Sequence, residues 1–420
     1  MWTECRLNIA GIGGGICDLR PALNVTQRGI SCQVYQQVPE IKSLSVGITL
    51  LLPEMKESSR PDLGTQLLAA GIENRENRFF NRSGQLLHKE PRGKLAGCDL
   101  PRLVIHRRQL NIALAAAEQG HVEPYATKTN REVADITRGE IGFTFNLKDT
   151  GAGSPSRTVE ADVVTDYDET NSSIRRTYYL NEPVAFVSTD SWRSLTRRKR
   201  ISGGRTYMRI GLLRTGKSVI YPVVGDVDGE GNQLIGWIVD TQQDRFEQND
   251  LNEPENLADF LPAYENRRCD RLDSAQMLRD AQQIREHPIA DKDPVITWMF
   301  RGVTLGGDAT HPMNPRGAKG AARALIDDRV LADILVRSAD AREALKAYAS
   351  KCIRETAAVV LTNRQHPPAY VITKVQELVS ARLFENLDEF VPRDELRALS
   401  ENYERTACFA LSDAVRSALS

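Results

Sequence analysis

The chain is 420 residues long, enough for two domains or for one domain with a large insert. Its hydrophobic content of 41% and charged content of 26% are those of a soluble globular enzyme, and a formal net charge of −1 gives no global electrostatic case for nucleic acid or an anionic membrane. No apolar run approaches the ~20 residues that span a bilayer, and Met1-Trp2-Thr3-Glu4 lacks the basic and apolar regions of a signal peptide. The 7 cysteines are scattered, odd in number and without a C-x-x-C pair, which predicts reduced thiols in a cytoplasmic protein and no zinc or other metal site.

In chain order, Leu7 to Ala10 reads as a short strand and Gly11-Ile12-Gly13-Gly14-Gly15 as a turn. Leu19 to Arg28 reads as a helix stopped by Gly29, and Ile30 to Tyr35 as a second strand. This is the βαβ context in which glycines allow close approach to a pyrophosphate. Two registers of G-x-G-x-x-G are open. Read from Gly11, the third glycine is Ile16; read from Gly13, it is Asp18. The first buries Pro21 inside the helix, at roughly 3 kcal/mol, so the second is preferred. The acidic residue expected at the end of the second strand is Gln36, whose amide can still accept from a ribose hydroxyl.

Residues 62–70 read as a helix and 75–92 as a strand pair around Ser83-Gly84. Leu103 to Leu110 leads into a helix that runs through Glu118, with Arg107 at its start. Residues 160–175 place Asp166, Asp168 and Glu169 together, three acidic groups that should raise one another's pKa. Residues 183–285 read as an insert, with strand-like runs at Glu182–Ser188, Thr206–Leu213, Ser218–Val224 and Gln233–Val239. Asp226 to Asn232 reads as a hairpin loop, lacking the ligand spacing of an EF-hand. The basic run Arg197-Arg198-Lys199-Arg200 reads first as a solvated loop and second as a contact for cofactor phosphates.

Arg301 to Leu335 organises the rest. Val303-Thr304-Leu305 is a buried strand by composition, Gly306-Gly307-Asp308-Ala309 a tight turn with a carboxylate at the strand's end, and His311 to Lys319 a loop. Gly320 opens a helix with apolar residues at Leu325, Ile326, Val330, Leu331, Ile334 and Leu335. A glycine-rich loop feeding a helix N-terminus suits a polar, partly anionic ligand, because free N–H groups and the helix dipole both point at it. Residues 339–364 and 373–418 read as two further helices.

This last stretch, Gly307-Asp308-Ala309-Thr310-His311, then Pro315-Arg316-Gly317-Ala318-Lys319-Gly320-Ala321, then Leu325-Ile326-Asp327, resembles the GD motif of the FAD-dependent aromatic hydroxylases, the single-component flavoprotein monooxygenases, and is most similar to their phenazine-modifying branch. Gly11 to Gly15, Glu40-Ile41 with Val46-Gly47-Ile48, His106-Arg107, the segment Ala161 to Arg175, and His287-Pro288 with Asp291 to Pro294 stand in the family's order. Together these matches span residues 7 to about 364. The resemblance implies an α/β fold: a Rossmann-like FAD-binding domain from residues 1–75, 100–180 and 286–345, an inserted β-sheet substrate domain from 76–99 and 181–285, and C-terminal helices over 346–420.

It also implies FAD as cofactor, NADH or NADPH and O2 as co-substrates, and hydroxylation of an aromatic or heteroaromatic small molecule through a flavin C4a-hydroperoxide. Cofactor-binding positions would be Gly11, Gly13, Gly15, Gln36, Val46, Arg107 (to phosphate), Asp168, Asp308 (to the ribityl chain), Gly317, Ala318 and Gly320. Pro315 and Gly317 would border the reacting flavin, while His311 and Met313 would line the substrate's approach or simply pack. The protein would be a monomer or homodimer without nucleic-acid or membrane partners. The altered glycines predict weaker FAD binding than is usual in the family, and a flavoprotein fold with weak or no FAD binding and a non-catalytic role stays open as a second reading.

Overall fold

The structure is a computed structural model that describes residues 7–13, 22, 24–37, 47–52, 55, 61–121, 127–138, 142–150, 157–168, 170, 172–183, 185–186, 189–242, 257–281, 283–286, 289–365, 367–379 and 382–401. Gly15, Val46, Ile16, Asp18, Pro21, Glu169, His287 and the stretch 402–418 lie outside the described residues.

The strands in chain order are β1 (Asn8–Ile12), β2 (Ser31–Tyr35), β3 (Gly47–Leu50), β4 (Ile72–Asn74), β5 (Glu76–Phe80), β6 (Leu86–Pro91), β7 (Arg102–His106), β8 (Thr127–Lys128), β9 (Arg131–Arg138), β10 (Phe143–Asp149), β11 (Arg157–Ala161) and β12 (Val163–Asp166). There follow β13 (Ala185–Phe186), β14 (Thr189–Lys199), β15 (Thr206–Ile210), β16 (Lys217–Val224), β17 (Asn232–Gln242), β18 (Arg268–Cys269), β19 (Leu272–Asp273), β20 (Arg285–Glu286), β21 (Ala290–Asp291), β22 (Met299–Phe300) and β23 (Val303–Leu305). Helices are α1 (Pro61–Ala70), α2 (Arg107–His121), α3 (Ser173–Tyr178), α4 (Ser274–Arg279), α5 (Gly320–Arg337), α6 (Ala341–Gln365) and α7 (Tyr370–Val379).

Two sheets dominate. The first runs β22-β23-β12-β1-β2-β8, with β23, β12, β1, β2 and β8 parallel and β22 antiparallel at the edge. β1 and β23 therefore share a sheet although about 290 residues separate them in sequence, as a Rossmann-like fold built from distant segments requires. Its strands are short apolar runs because helices and a second layer cover both faces. Ile9, Val34 and Val163 pack with Ile326, Leu331 and Leu335 of α5 and Leu345 and Tyr348 of α6. Ala10, Val164, Val303 and Leu305 pack on the other side with Phe143, Phe145 and Leu147 of the β9–β11 meander.

The second sheet runs β20-β14-β17-β16-β15-β5-β6. Alternation splits its residues between two faces. Trp192, Met208, Ile210, Ile220, Ile235, Trp237 and Val239 join Phe260 and Tyr264 in one core, whereas Tyr207, Val219, Tyr221 and Val223 meet Val104 of β7 on the other face. Two glycines make that second contact possible. A Cβ on Gly47 would lie 2.7 Å from Val223 Cγ2, and one on Gly236 would lie 2.7 Å from Tyr221 Cε2.

Several sequence expectations change. The basic run Arg197-Arg198-Lys199 is not a loop: it ends the eleven-residue strand β14, paired with β17. Arg197 pairs with Asp228 and Lys199 Nζ donates to Glu230 O at 2.8 Å, so these cations close the 226–232 hairpin. β15 stops at Ile210 because Gly211 turns with φ +74°. The expected helix over 373–418 is instead α7, a 3-10 turn at Leu387–Glu389 and helix again over 393–401, restarting after Pro392, whose missing N–H suits a helix start. Of the expected run Glu182–Ser188, only Ala185–Phe186 is described as strand.

Candidate functional site

The parallel sheet sets the site. β1 has β2 on one side and β12 on the other, so strand order reverses at β1. Ligands of open α/β sheets bind beyond the carboxyl ends of the strands at such a switch point. Here those ends are Ile12–Gly13, Tyr35–Gln36, Asp166–Asp168 and Leu305–Asp308, all at one edge. A cleft of about 260 Å³ opens there, lined by Gly13, Gln36, Asp168, Arg131, Arg176 and Glu132 among others. Gly13 sits at φ +119°, and its N–H donates to Tyr35 O at 2.9 Å. Gly11 lies within β1, where an added Cβ would be only 3.4 Å from Val34 Cγ2. Gln36 Oε1 accepts from Gln37 N at 3.0 Å.

At the end of β12 the carboxylate of Asp166 is fully buried. It accepts from Asp168 N at 3.0 Å and from Ser172 Oγ. Ser172 in turn caps α3, accepting from Arg175 N at 2.8 Å. Burial pushes the Asp166 carboxyl up to about 7, the two hydrogen bonds pull it back, and the charge of Asp168 is a lesser contribution. Mutual repulsion among the acids was the expectation; desolvation is the larger cause.

Arg175 has 0% exposure. Its NH1 donates to Ala309 O and Thr310 O, both at 2.7 Å, and its Nε to Glu182 Oε2 at 2.8 Å. Lys292 Nζ reaches the same Glu182 Oε2 at 3.2 Å. Arg175 thus pins the turn that carries Asp308. Its place in the Ala161–Arg175 match marked it in the sequence, but spacing alone could not show which carbonyls it would hold.

That turn is a 3-10 turn over Gly307–Ala309, with Gly307 at φ +53° and its carbonyl accepting from both Thr310 N and His311 N at 3.0 Å. Gly306 must lack a side chain, since a Cβ there would lie 2.3 Å from Tyr167 Cζ. Asp308 is exposed at the start of α5: its Oδ1 is 3.6 Å from where a Cβ on Gly320 would stand, and Met313 Cγ is 3.8 Å from the same point. Pro315–Gly317 forms a second 3-10 turn, capped by Asn314 Oδ1 accepting from Arg316 N at 3.1 Å, and Ala318 takes a left-handed φ of +53°. α5 then begins with no side-chain cap and no acidic residue in its first turn, leaving donors and a positive dipole end toward the loop.

The structure brings Asp308, Met313, Pro315, Gly317, Ala318 and Gly320 into one loop–helix junction, and Gly13, Gln36 and Asp168 into the neighbouring cleft. His311 is only 2% exposed, its Nε2 2.8 Å from Asp327 Oδ2. Asp327 also takes Arg323 Nε at 2.9 Å, and Arg323 NH1 reaches Glu355 at 3.0 Å. His311 therefore faces α5, beside the Trp298 ring at 5.9 Å. Met313 packs with Val359 and Val360 of α6. Arg107 is the half-buried first residue of α2, after β7 of the three-stranded sheet β3-β7-β4. Among the described residues no His/Cys/Asp/Glu group could hold a metal ion, and no helix is long and apolar enough to cross a membrane.

Fold and edge together define a dinucleotide-binding α/β protein. No known family profile matches the chain. It is 30% identical over 374 residues to phenazine 1,6-dicarboxylic acid hydroxylase PhzS of Lysobacter antibioticus, covering 88% of this chain and 92% of that one. It is 25% identical over 376 residues to 3-hydroxybenzoate 6-hydroxylase of Polaromonas naphthalenivorans, covering 87% and 89%. Its fold is that of Klebsiella pneumoniae HpxO complexed with FAD and uric acid, with a TM-score of 0.75, 18% identity and coverage of 94% and 96%. The chain belongs to the FAD-dependent aromatic hydroxylases, a family of flavoprotein monooxygenases.

Proposed function

We propose that this protein hydroxylates an aromatic or heteroaromatic small molecule, using NADH or NADPH as reductant and O2 as oxidant. The carrying observation is the convergence of Gly13, Gln36, Asp168 and Asp308 on one sheet edge, next to an uncapped N-terminus of α5. The residues there fit FAD. Gly13 has a backbone open to close approach, Arg131 (paired with Asp149) and Arg176 line the cleft beside Glu132 and Asp168, and Gly320 leaves Asp308 room at the helix start. When bound, FAD supplies the electron storage and oxygen activation that side chains lack.

The chain's own part is binding, orientation and exclusion of water. Asp308 accepts from the hydroxyls of the cofactor chain. Gln36 accepts from the ribose, and Arg107 reaches phosphate with its planar fork. Of the Gly317 to Gly320 backbone, the Ala318 N–H is spent on Pro315 O at 2.9 Å, and the N–H groups of Gly317 and Gly320 would stabilise negative charge on the ring, helped by the α5 dipole. Pro315 and Gly317 border the reacting centre, and the seven-stranded sheet carries the substrate. The test is the visible spectrum of protein purified without added flavin, then FAD titration, NAD(P)H oxidation and product formed under labelled O2. A chain that takes up no FAD, or one whose product carries no label, sinks this reading.

A further inference from the structure

The seven-stranded sheet carries a buried charge cluster that the functions above do not use. Register places Ser191, Asp240 and Lys217 in one cross-strand row over β14, β17 and β16. Asp240 takes Lys217 Nζ at 2.8 Å on one oxygen and Ser191 Oγ at 2.8 Å on the other. One position along, Arg209 pairs in register with Val219, two residues from Lys217 and on the same face. Arg209 is 4% exposed, stacked 4.6 Å from the Tyr207 ring centroid, and its NH1 has no hydrogen-bond partner. From the loop at the start of α5, Arg316 NH2 crosses to Thr189 Oγ1 on β14 at 3.0 Å.

Asp240 serves Lys217, while the nearby buried Asp291 serves Arg364 Nε at 2.9 Å on one oxygen and leaves Oδ1 without a hydrogen-bond partner. Among the described residues no carboxylate lies within ion-pair distance of Arg316 or Arg209. Burial pushes the Lys217 ammonium down; Asp240 opposes this, and Arg316 and Arg209 add to it. Burial likewise pushes Arg316 down, against the pull of Asp240 and Asp291. A guanidinium taken out of water without an ion-pair partner is costly unless an anion joins it.

We propose that Arg316, acting with Lys217, reads the carboxylate of an aromatic acid, so that the loop at the flavin-binding edge itself selects anionic substrates. This rests on the hydroxylase reading above and narrows its substrate class. Arg316 stands between Pro315 and Gly317, so a substrate anion held by it is registered against the same loop that borders the reacting centre.

The experiment uses FAD-loaded protein without NAD(P)H, so that cofactor phosphates cannot supply the anion. Two matched pairs are titrated by flavin absorbance: 3-hydroxybenzoate with 3-hydroxybenzamide, and phenazine 1,6-dicarboxylate with unsubstituted phenazine. The acid of at least one pair should bind at least tenfold more tightly than its neutral partner. Arg316→Gln should weaken that acid roughly 10- to 100-fold and leave the neutral partner within about twofold, with Arg316→Lys intermediate. Equal binding of acid and neutral partner, or an equal loss for both in Arg316→Gln, overturns the charge-reading role, as does failure of every probe to perturb a bound flavin. Failure to bind FAD at all would instead overturn the hydroxylase reading.

Discussion

β12 and β23 are neighbours and parallel; β12 ends in Asp166, and Asp308 follows β23 three residues beyond Leu305, at the same sheet edge. They use it oppositely. Asp166 turns inward, has 0% exposure, and spends its oxygens on Ser172 and the Asp168 amide. Asp308 turns outward on a glycine turn and is exposed near the start of α5. The difference is glycine. Gly306 and Gly307 let the chain reverse beside Tyr167 and present the carboxylate, whereas Asp166 follows three buried residues straight out of a strand. Whether a carboxylate at this sheet edge faces outward or is spent inside the protein is thus set by the backbone that carries it.

The sharpest way to break the comparison is to cut the guanidinium that joins the two ends. Arg175→Met leaves Glu182 to Lys292 alone and the Ala309 and Thr310 carbonyls without their donor. It should cost about 3–5 kcal/mol of stability, read as a lower urea midpoint at unchanged slope. A midpoint within error of the native protein's would show that the turn does not depend on it.

Asp166 gives the next effect. Its folded pKa of about 7 lies above the ordinary 3.8, so the native state holds a proton that the unfolded chain has lost between those values. Stability contributed through this group is therefore highest at low pH and falls as pH rises from about 4 to 7. The fall is on the order of 2–4 kcal/mol, and Asp166→Asn should flatten that stretch of the stability–pH curve. An unaltered curve would mean that the carboxylate ionises as freely as one in water.

Asp308→Ala should leave the fold intact and weaken FAD by roughly 10- to 150-fold, the worth of a charge-assisted hydrogen bond of about 1.5–3 kcal/mol. Equal FAD affinity by titration would remove Asp308 from the cofactor site. Smallest is Gln36→Glu, which should tighten FAD by roughly 2- to 10-fold by adding charge to a ribose acceptor. No gain would show that Gln36, whose oxygen already takes the Gln37 amide, is not that acceptor.

How much of this was legible follows the local rules. β23 and the start of α5 fall at the residues that β-branching and glycine punctuation indicate, Val303–Leu305 and Gly320. β14 was missed because its last residues are cationic. The inward alternation of Trp192, Ser194 and Thr196 was present, but a run of arginines at a strand end reads as solvent-facing loop. The burial of His311 against Asp327 was not legible, since the partner lies sixteen residues on, across a loop and two helix turns. Its one clue was the Arg323–Asp327 pair at i, i+4 on a face otherwise apolar. The burial of Asp166 was equally hidden, because composition reports charges and not which way a strand end turns.

The Arg175–Glu182–Lys292 contact has a mechanical side. Glu182 lies where the chain leaves for the seven-stranded sheet, and Lys292 lies where it comes back, just after β21. Both crossings thus meet at Glu182, which also takes the guanidinium that holds the Asp308 turn. Neither strap can slide without slackening the other or tugging on Ala309 and Thr310. The joint between the two sheets and the backbone that follows Asp308 thus share one guanidinium.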